Sequence, residues 1–72
     1  MSPIITINTE TCLFEGNRLH VYYSVYIYHN GEYFRENARY EQEARDIVRN
    51  KLDAMGLSNI KVPEVQGKWK LS

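Results

Sequence analysis

Residues 19–35 read LHVYYSVYIYHNGEYFR, and this stretch decides the fold. Two runs of aromatic and β-branched residues flank Asn30-Gly31, the dipeptide that most readily forms a two-residue type I′ turn. The stretch therefore predicts a β-hairpin in which His29 faces Glu32 across the turn. The same register pairs Tyr28 with Tyr33, Ile27 with Phe34 and Tyr26 with Arg35.

The register also assigns each side chain to one side of the hairpin, because side chains alternate between the two faces of a strand. The side expected to face a core carries Leu19, Val21, Tyr23, Val25, Ile27 and Phe34. The opposite side carries His20, Tyr22, Ser24, Tyr26, Tyr28, Tyr33 and Arg35. The hairpin is therefore expected to have a core side and an outer side lined by tyrosine.

A further strand is predicted before the hairpin, in the Ile- and Thr-rich stretch PIITINTETCLF that ends at Phe14. A tight turn at residues 16–17 would pair Phe14 with the first residue of the hairpin and direct Phe14 toward the core. That register turns Ile5 and Ile7 outward. We therefore expect a β-bulge within residues 8–11, which would switch the faces and bring both isoleucines inward.

A helix is predicted over residues 40–55, after a polar connection at residues 36–39. Its apolar stripe recurs at steps of three and four and contains Tyr40, Ala44, Ile47, Val48, Leu52 and Met55. Asn37 is the predicted N-cap. Gly56 is expected to end the helix in the left-handed conformation, and Leu57 to supply the accompanying hydrophobic contact.

The remaining chain resumes a β pattern at residues 60–62, where Pro63 limits the strand to a sheet edge or ends it. Residues 64–72 are expected to form either a short strand or a loose C-terminal tail. The predicted order is β-β-β-α-β in a single domain over residues 1–72. We expect a two-layer α+β fold, with a three-stranded antiparallel meander packed on one helix and the last short strand at a sheet edge.

The composition argues against several classes of function and location. The chain has 72 residues, and nine Lys and Arg balance nine Asp and Glu. This balance argues against a strongly basic nucleic-acid-binding domain and against an acidic mimic of DNA. Cys12 is the only cysteine, so no intramolecular disulfide can form, which favours a cytoplasmic location. The first ten residues lack the features of a signal peptide or a membrane span, and no membrane partner is expected.

No catalytic or metal-binding motif stands out. His20 and His29 lie on opposite sides of the predicted hairpin, so they cannot share a metal ion, and no zinc site is expected. Cys12 is interpreted as a small buried hydrophobic residue rather than a nucleophile. We therefore expect no cofactor and no enzymatic activity.

The predicted partner-binding residues are the large side chains of the outer side: Tyr22, Tyr26, Tyr28, Tyr33 and Arg35. Tyrosine and arginine are enriched in the residues that dominate binding at protein interfaces. The alternative is that these tyrosines simply cover a sheet while their hydroxyls contact water. A secondary contact is predicted at Lys68, Trp69 and Lys70, where the alternative is a last strand with Trp69 in the core.

A compact, neutral domain without catalytic residues is similar in size and strand order to small phage or mobile-element regulators and inhibitors. We therefore expect a protein-binding module, with another protein or a second copy of the chain as its partner. The alternative is sheet-mediated nucleic-acid binding. Residues 23–34, followed by a helix that contains Glu43-Ala44, resemble the three-strand-plus-helix domains of phage integrase arm-binding and plant AP2 type. In those domains the outer face of the sheet enters the major groove, whereas this outer side offers Arg35 and tyrosines.

Overall fold

The computed structural model describes residues 2–14, 16 and 18–67. Strand β1 spans Ile4–Phe14, β2 spans Arg18–His29, β3 spans Glu32–Ala38, and helix α1 spans Glu41–Ala54. The strands form an antiparallel sheet in the order β1-β2-β3, and α1 packs against one face of it. The predicted two-layer α+β fold is confirmed. Among the described residues, no helix is long and apolar enough to span a membrane.

The turn between β2 and β3 has the predicted geometry. Asn30 has φ 51° and Gly31 has φ 81°, as a type I′ turn requires of both central residues. The register follows from it: His29 pairs with Glu32, and the other pairs predicted for the hairpin are all present, from Tyr28 with Tyr33 to Tyr26 with Arg35. The local sequence therefore fixes which side of the sheet each residue of β2 and β3 faces.

The predicted register of β1 is wrong by one residue. Phe14 pairs with Arg18 rather than with Leu19, and the pairing continues without a bulge to Ile4. Because a shift of one residue exchanges the two faces of a strand, Cys12 lies on the outer side and not in the core. Ile5 and Ile7 already face inward, and Ile7 is fully buried. The bulge expected at residues 8–11 is therefore not needed.

The core lies between the sheet and the helix. Its buried side chains are Ile7, Val25, Ile27, Ala38, Ala44, Val48, Leu52 and Val65. Most of the predicted helix stripe contributes, since Ile47 and Met55 are half-buried against this cluster. Tyr40 is the exception, because it precedes the helix and is 68% exposed.

The β1–β2 ribbon extends beyond the helix. A helix of 14 residues is about 21 Å long, whereas a strand of 12 residues is about 40 Å long. One end of the ribbon therefore has no helix above it, and the described part of the molecule measures 44 × 23 × 17 Å. Leu19 and Val21, which were expected in the core, lie on the inner side of this end and are 48% and 40% exposed.

The two ends of α1 differ in how well the sequence predicted them. The N-cap is Tyr40, with no capping hydrogen bond from its side chain, and not Asn37. Asn37 lies in β3, since strand pairing continues to Ala38, whose methyl group is buried in the core. The C-terminal prediction is confirmed. Gly56 has φ 77°, and Leu57 donates its N–H to the carbonyl of Leu52 at 2.8 Å, as in a Schellman motif.

The chain after the helix returns to the sheet without forming a full strand. Residues 60–62 are not in a strand, contrary to the prediction. Instead Gln66 forms a parallel bridge with Asn8 at the free edge of β1, with bonds of 3.0 Å from Thr9 N and 2.8 Å to Ile7 O. The chain thus reaches the sheet edge after Pro63, and the side chain of Val65 is buried in the core. Of the strand or tail predicted for residues 64–72, residues 68–72 lie outside the described residues.

Two arginines of α1 hold the chain that returns to the sheet, residues 57–66, in place. We call these residues the returning segment. Arg49 donates hydrogen bonds to the carbonyls of Ile60, Ser58 and Leu57, at 2.8, 3.2 and 3.4 Å, and pairs with Asp53 at 3.1 Å. Arg45, one turn earlier, donates to the carbonyl of Pro63 at 3.2 Å. Carbonyls that no strand partner satisfies are therefore bonded to guanidinium groups.

We expect Leu52→Ala to lower the free energy of unfolding by ~2–5 kcal/mol, because it leaves a cavity where a fully buried side chain packs against the sheet. Urea unfolding followed by circular dichroism measures this loss. Asn50→Ala is the control, since Asn50 is exposed on the same helix and should change stability by less than ~0.5 kcal/mol. Equal stability of the two variants would contradict the assigned packing face.

Arg49→Met keeps the length of the aliphatic stem and removes every hydrogen bond that Arg49 donates to the returning segment. We expect a loss of ~1–3 kcal/mol in the free energy of unfolding, since hydrogen bonds from charged groups contribute on this scale. Arg45→Met removes one such bond and should cost less. If the two variants unfold at the same urea concentration as the original chain, the arginines do not hold the segment.

Candidate protein-binding surface

A cluster of large side chains lies on the side of the sheet that faces away from α1. The register of all three strands brings its members together, since Ile4 pairs with Tyr28, and Tyr26 pairs with Thr6 on one side and Arg35 on the other. We call this cluster the tyrosine surface. It consists of Ile4, Thr6, Tyr26, Tyr28, Tyr33 and Arg35.

Tyr26 is the centre of the tyrosine surface. It lies on the central strand and is half-buried. The guanidinium carbon of Arg35 is 5.4 Å from the centroid of its ring, and the ring of Tyr33 is 6.1 Å away at a tilt of 48°. Exposed cation–π contacts contribute ~0.5–1 kcal/mol and tilted aromatic pairs ~0.5–1.5 kcal/mol. These contacts hold the neighbours of Tyr26 in defined positions.

The outer members of the tyrosine surface are open to solvent. Ile4 is 65% exposed, Tyr33 is 62% exposed and Tyr28 is 46% exposed. Ile4 and Tyr28 are directly opposite on neighbouring strands, and Tyr33 pairs with Tyr28 on the other side. The three side chains therefore form one continuous strip across the sheet.

A row of polar residues ends the tyrosine surface on one side. Ser24 lies between Asn8 and Asn37 across the sheet, and it is fully buried although no helix covers this face. Its hydroxyl donates a hydrogen bond to Glu10 Oε1 at 3.1 Å. Tyr22 lies beyond this row and is half-buried. The structure therefore brings together four of the predicted binding residues and separates Tyr22 from them.

Ile4 and Thr6 belong to the tyrosine surface but were not predicted. The prediction directed attention to Ile5 and Ile7, and it relied on a bulge to bring those residues inward. A pairing of Phe14 with Arg18 assigns Ile4 and Thr6 to the outer side directly. The signal was present in the alternation of the strand, because bringing Ile5 and Ile7 inward by either route turns Ile4 and Thr6 outward.

The cations of the described chain are mostly engaged within the protein. Arg35 lies over Tyr26, and Arg45 and Arg49 bind the returning segment. Lys51 Nζ lies 4.7 Å from the centroid of the Phe34 ring on the inner side of the sheet. The predicted secondary contact at Lys68, Trp69 and Lys70 lies outside the described residues.

Among the described residues, no three of His, Cys, Asp and Glu come together in a group that could hold a metal ion. The imidazole of His29 lies beside the turn, with its Nε2 at 3.2 Å from Asn30 Nδ2. What the tyrosine surface offers chemically is aromatic area with hydroxyl groups and one cation, Arg35.

Comparison with known proteins assigns no role to this surface. No protein-family model matches the sequence, and neither does any curated protein or solved structure. Any role of the tyrosine surface must therefore be inferred from its own residues.

Proposed function

We propose that this chain is a small non-enzymatic protein-binding module whose tyrosine surface occupies a surface of a target protein. The observation that carries the proposal is the exposed strip of Ile4, Tyr28 and Tyr33, held in place by the contacts of Tyr26 and Arg35. Tyrosine provides a large, rigid contact area at a small cost in side-chain entropy. A surface of this kind suits a regulator or inhibitor, including those of phage or mobile elements, that acts by blocking its target.

The chemistry of the surface indicates the kind of target. Apart from Arg35 the tyrosine surface is uncharged, so a matching surface would be mainly apolar, with acceptors for tyrosine hydroxyls. An acidic group on the target near Arg35 would add a charge-assisted hydrogen bond. The single cysteine supports a reducing compartment such as the cytoplasm as the place of action.

Nucleic-acid binding has less support. Affinity for a phosphate backbone grows with the number of phosphates that Lys and Arg neutralise, and several cations of the described chain already make internal contacts. We expect no mobility shift of duplex DNA or RNA at ~50 mM salt. A shift that disappears near ~200 mM salt would favour the nucleic-acid alternative instead.

The proposal is tested by the double variant Tyr28→Ser/Tyr33→Ser. Both side chains are exposed, so the fold should be retained, which circular dichroism can verify. Partners are captured from a lysate of the native host and identified by quantitative mass spectrometry. Calorimetry with the purified partner should then show a loss of ~1 kcal/mol or more for each tyrosine removed.

Tyr40→Ser is the matched control for this experiment. It removes a tyrosine that is 68% exposed but lies at the start of α1, outside the tyrosine surface. We expect this variant to bind the partner with the original affinity. If the double variant also binds with unchanged affinity, the tyrosine surface is not the contact surface and the proposal is wrong.

A further inference from the structure

One edge of β2 is open at the end of the ribbon. β2 pairs with β1 from Arg18 to Tyr28, but it pairs with β3 only from Tyr23 to His29. Within the described part of the chain, no strand lies beside residues 18–22 on the β3 side. Such an edge is a template for another strand.

The backbone groups of Leu19 and Val21 point out from this edge. The carbonyl of Ile7 and the N–H of Thr9 are bonded to Gln66, so the odd-numbered residues of β1 point away from β2. The even-numbered residues of β1 therefore direct their N–H and C=O groups toward β2. The register pairs them with even-numbered residues of β2, whose own N–H and C=O groups point back toward β1. It follows that odd-numbered residues of β2 direct their N–H and C=O groups toward the β3 side.

Space for a strand exists beside this edge. A groove of about 890 Å³ separates Val21 and Tyr22 from the chain that leads out of β3, at Ala38 and Tyr40. Leu19 and Val21 are also the exposed apolar residues of the inner side, as described above. The edge therefore combines outward-pointing backbone groups with two apolar side chains that are 48% and 40% exposed.

We propose that this edge pairs with the same edge of a second copy of the chain, antiparallel, around a two-fold axis at His20. The odd-numbered residues that point outward must then pair with each other, so Leu19 faces Val21 of the second copy and Val21 faces its Leu19. The N–H and C=O groups of both residues all find partners in this register. An interface of this kind uses the same residues on both copies.

The side chains that meet in this register are complementary, which is why a second copy fits the edge. On the inner side, Leu19 lies beside Val21 of the second copy. On the outer side, Arg18 lies opposite Tyr22 of the second copy, the same cross-strand pair of residue types that Arg35 and Tyr26 form within the chain at 5.4 Å. The groove beside Tyr22, which would receive Arg18 of the second copy, is also lined by Arg39 and Glu43, one charge of each sign.

The proposed dimer goes beyond the proposed function and does not depend on it. The two-fold axis is perpendicular to the sheet, so both tyrosine surfaces would face the same direction. The paired segment is short compared with the ~800 Å² per partner of a standard interface, so the dimer should be weak, with a dissociation constant of micromolar order.

Sedimentation equilibrium of the full chain from ~1 μM to ~1 mM tests the proposal. The original chain should shift from monomer to dimer over this range. Val21→Pro removes an N–H that points to the open edge, and it should raise the dissociation constant at least tenfold. Thr11→Pro is the matched control, because Thr11 pairs with Val21 but points its N–H to the opposite edge of the ribbon. The control should dimerise within about twofold of the original chain.

Further variants keep the test decisive if Val21→Pro fails to fold. Leu19→Lys replaces a half-exposed side chain with a charge beside Val21 of the second copy, and it should also raise the dissociation constant at least tenfold. Tyr28→Ser/Tyr33→Ser should dimerise like the original chain. A monomer at all concentrations would overturn the proposal, and so would a dimer lost only in the tyrosine variant.

A disulfide reports the register directly. His20 lies on the proposed axis, where the two side chains approach closely because this is a non-hydrogen-bonded pair. His20→Cys must be combined with Cys12→Ser, since Cys12 pairs with His20 within the chain. Oxidation should then link two copies, whereas Tyr28→Cys with Cys12→Ser should stay unlinked. Equal cross-linking of both variants would contradict the register.

Discussion

The type I′ turn at Asn30-Gly31 is the constraint on which the rest of the structure depends. Both residues have positive φ, and the turn sets a single register for β2 and β3. Because side chains alternate along a strand, this register sends Val25 and Ile27 to the helix and Tyr26 to the opposite side. A slip of one residue would bury tyrosine hydroxyls beneath the helix and expose the core.

The second constraint is the difference in length between the helix and the ribbon. One helix of 14 residues covers one face of the sheet over part of its length. Within residues 2–14, 16 and 18–67, no second helix covers the outer face or the far end of the ribbon. The tyrosine surface and the open edge of β2 are consequences of this arrangement.

The sequence was a reliable guide where a local signal fixes geometry. The Asn-Gly turn fixed the faces of β2 and β3, and with them the positions of Tyr26, Tyr28, Tyr33 and Arg35. Gly56 likewise marked the end of the helix, because a left-handed C′ residue and its hydrogen bonds are local features.

The remaining errors have two causes: one wrongly assumed local turn, and features that depend on distant residues. The register of β1 was displaced because a tight turn was assumed at residues 16–17, whereas Phe14 pairs with Arg18. The N-cap was misplaced because β3 continues to bury Ala38 against the helix, which no local pattern reveals. Arg45 and Arg49 hold the returning segment. Hydrogen bonds from a guanidinium group to carbonyls far along the chain produce no periodic pattern in the sequence, so they could not be predicted from it.

The separation of the two faces of the sheet is the central claim, and nuclear Overhauser effects between side-chain protons test it most directly. The methyl groups of Val25 and Ile27 should show contacts with those of Val48 and Leu52, since all four lie in one core cluster. The ring of Tyr28 should instead show contacts with Ile4, its partner on β1. Contacts from the ring of Tyr28 to Val48 or Leu52 would contradict the account.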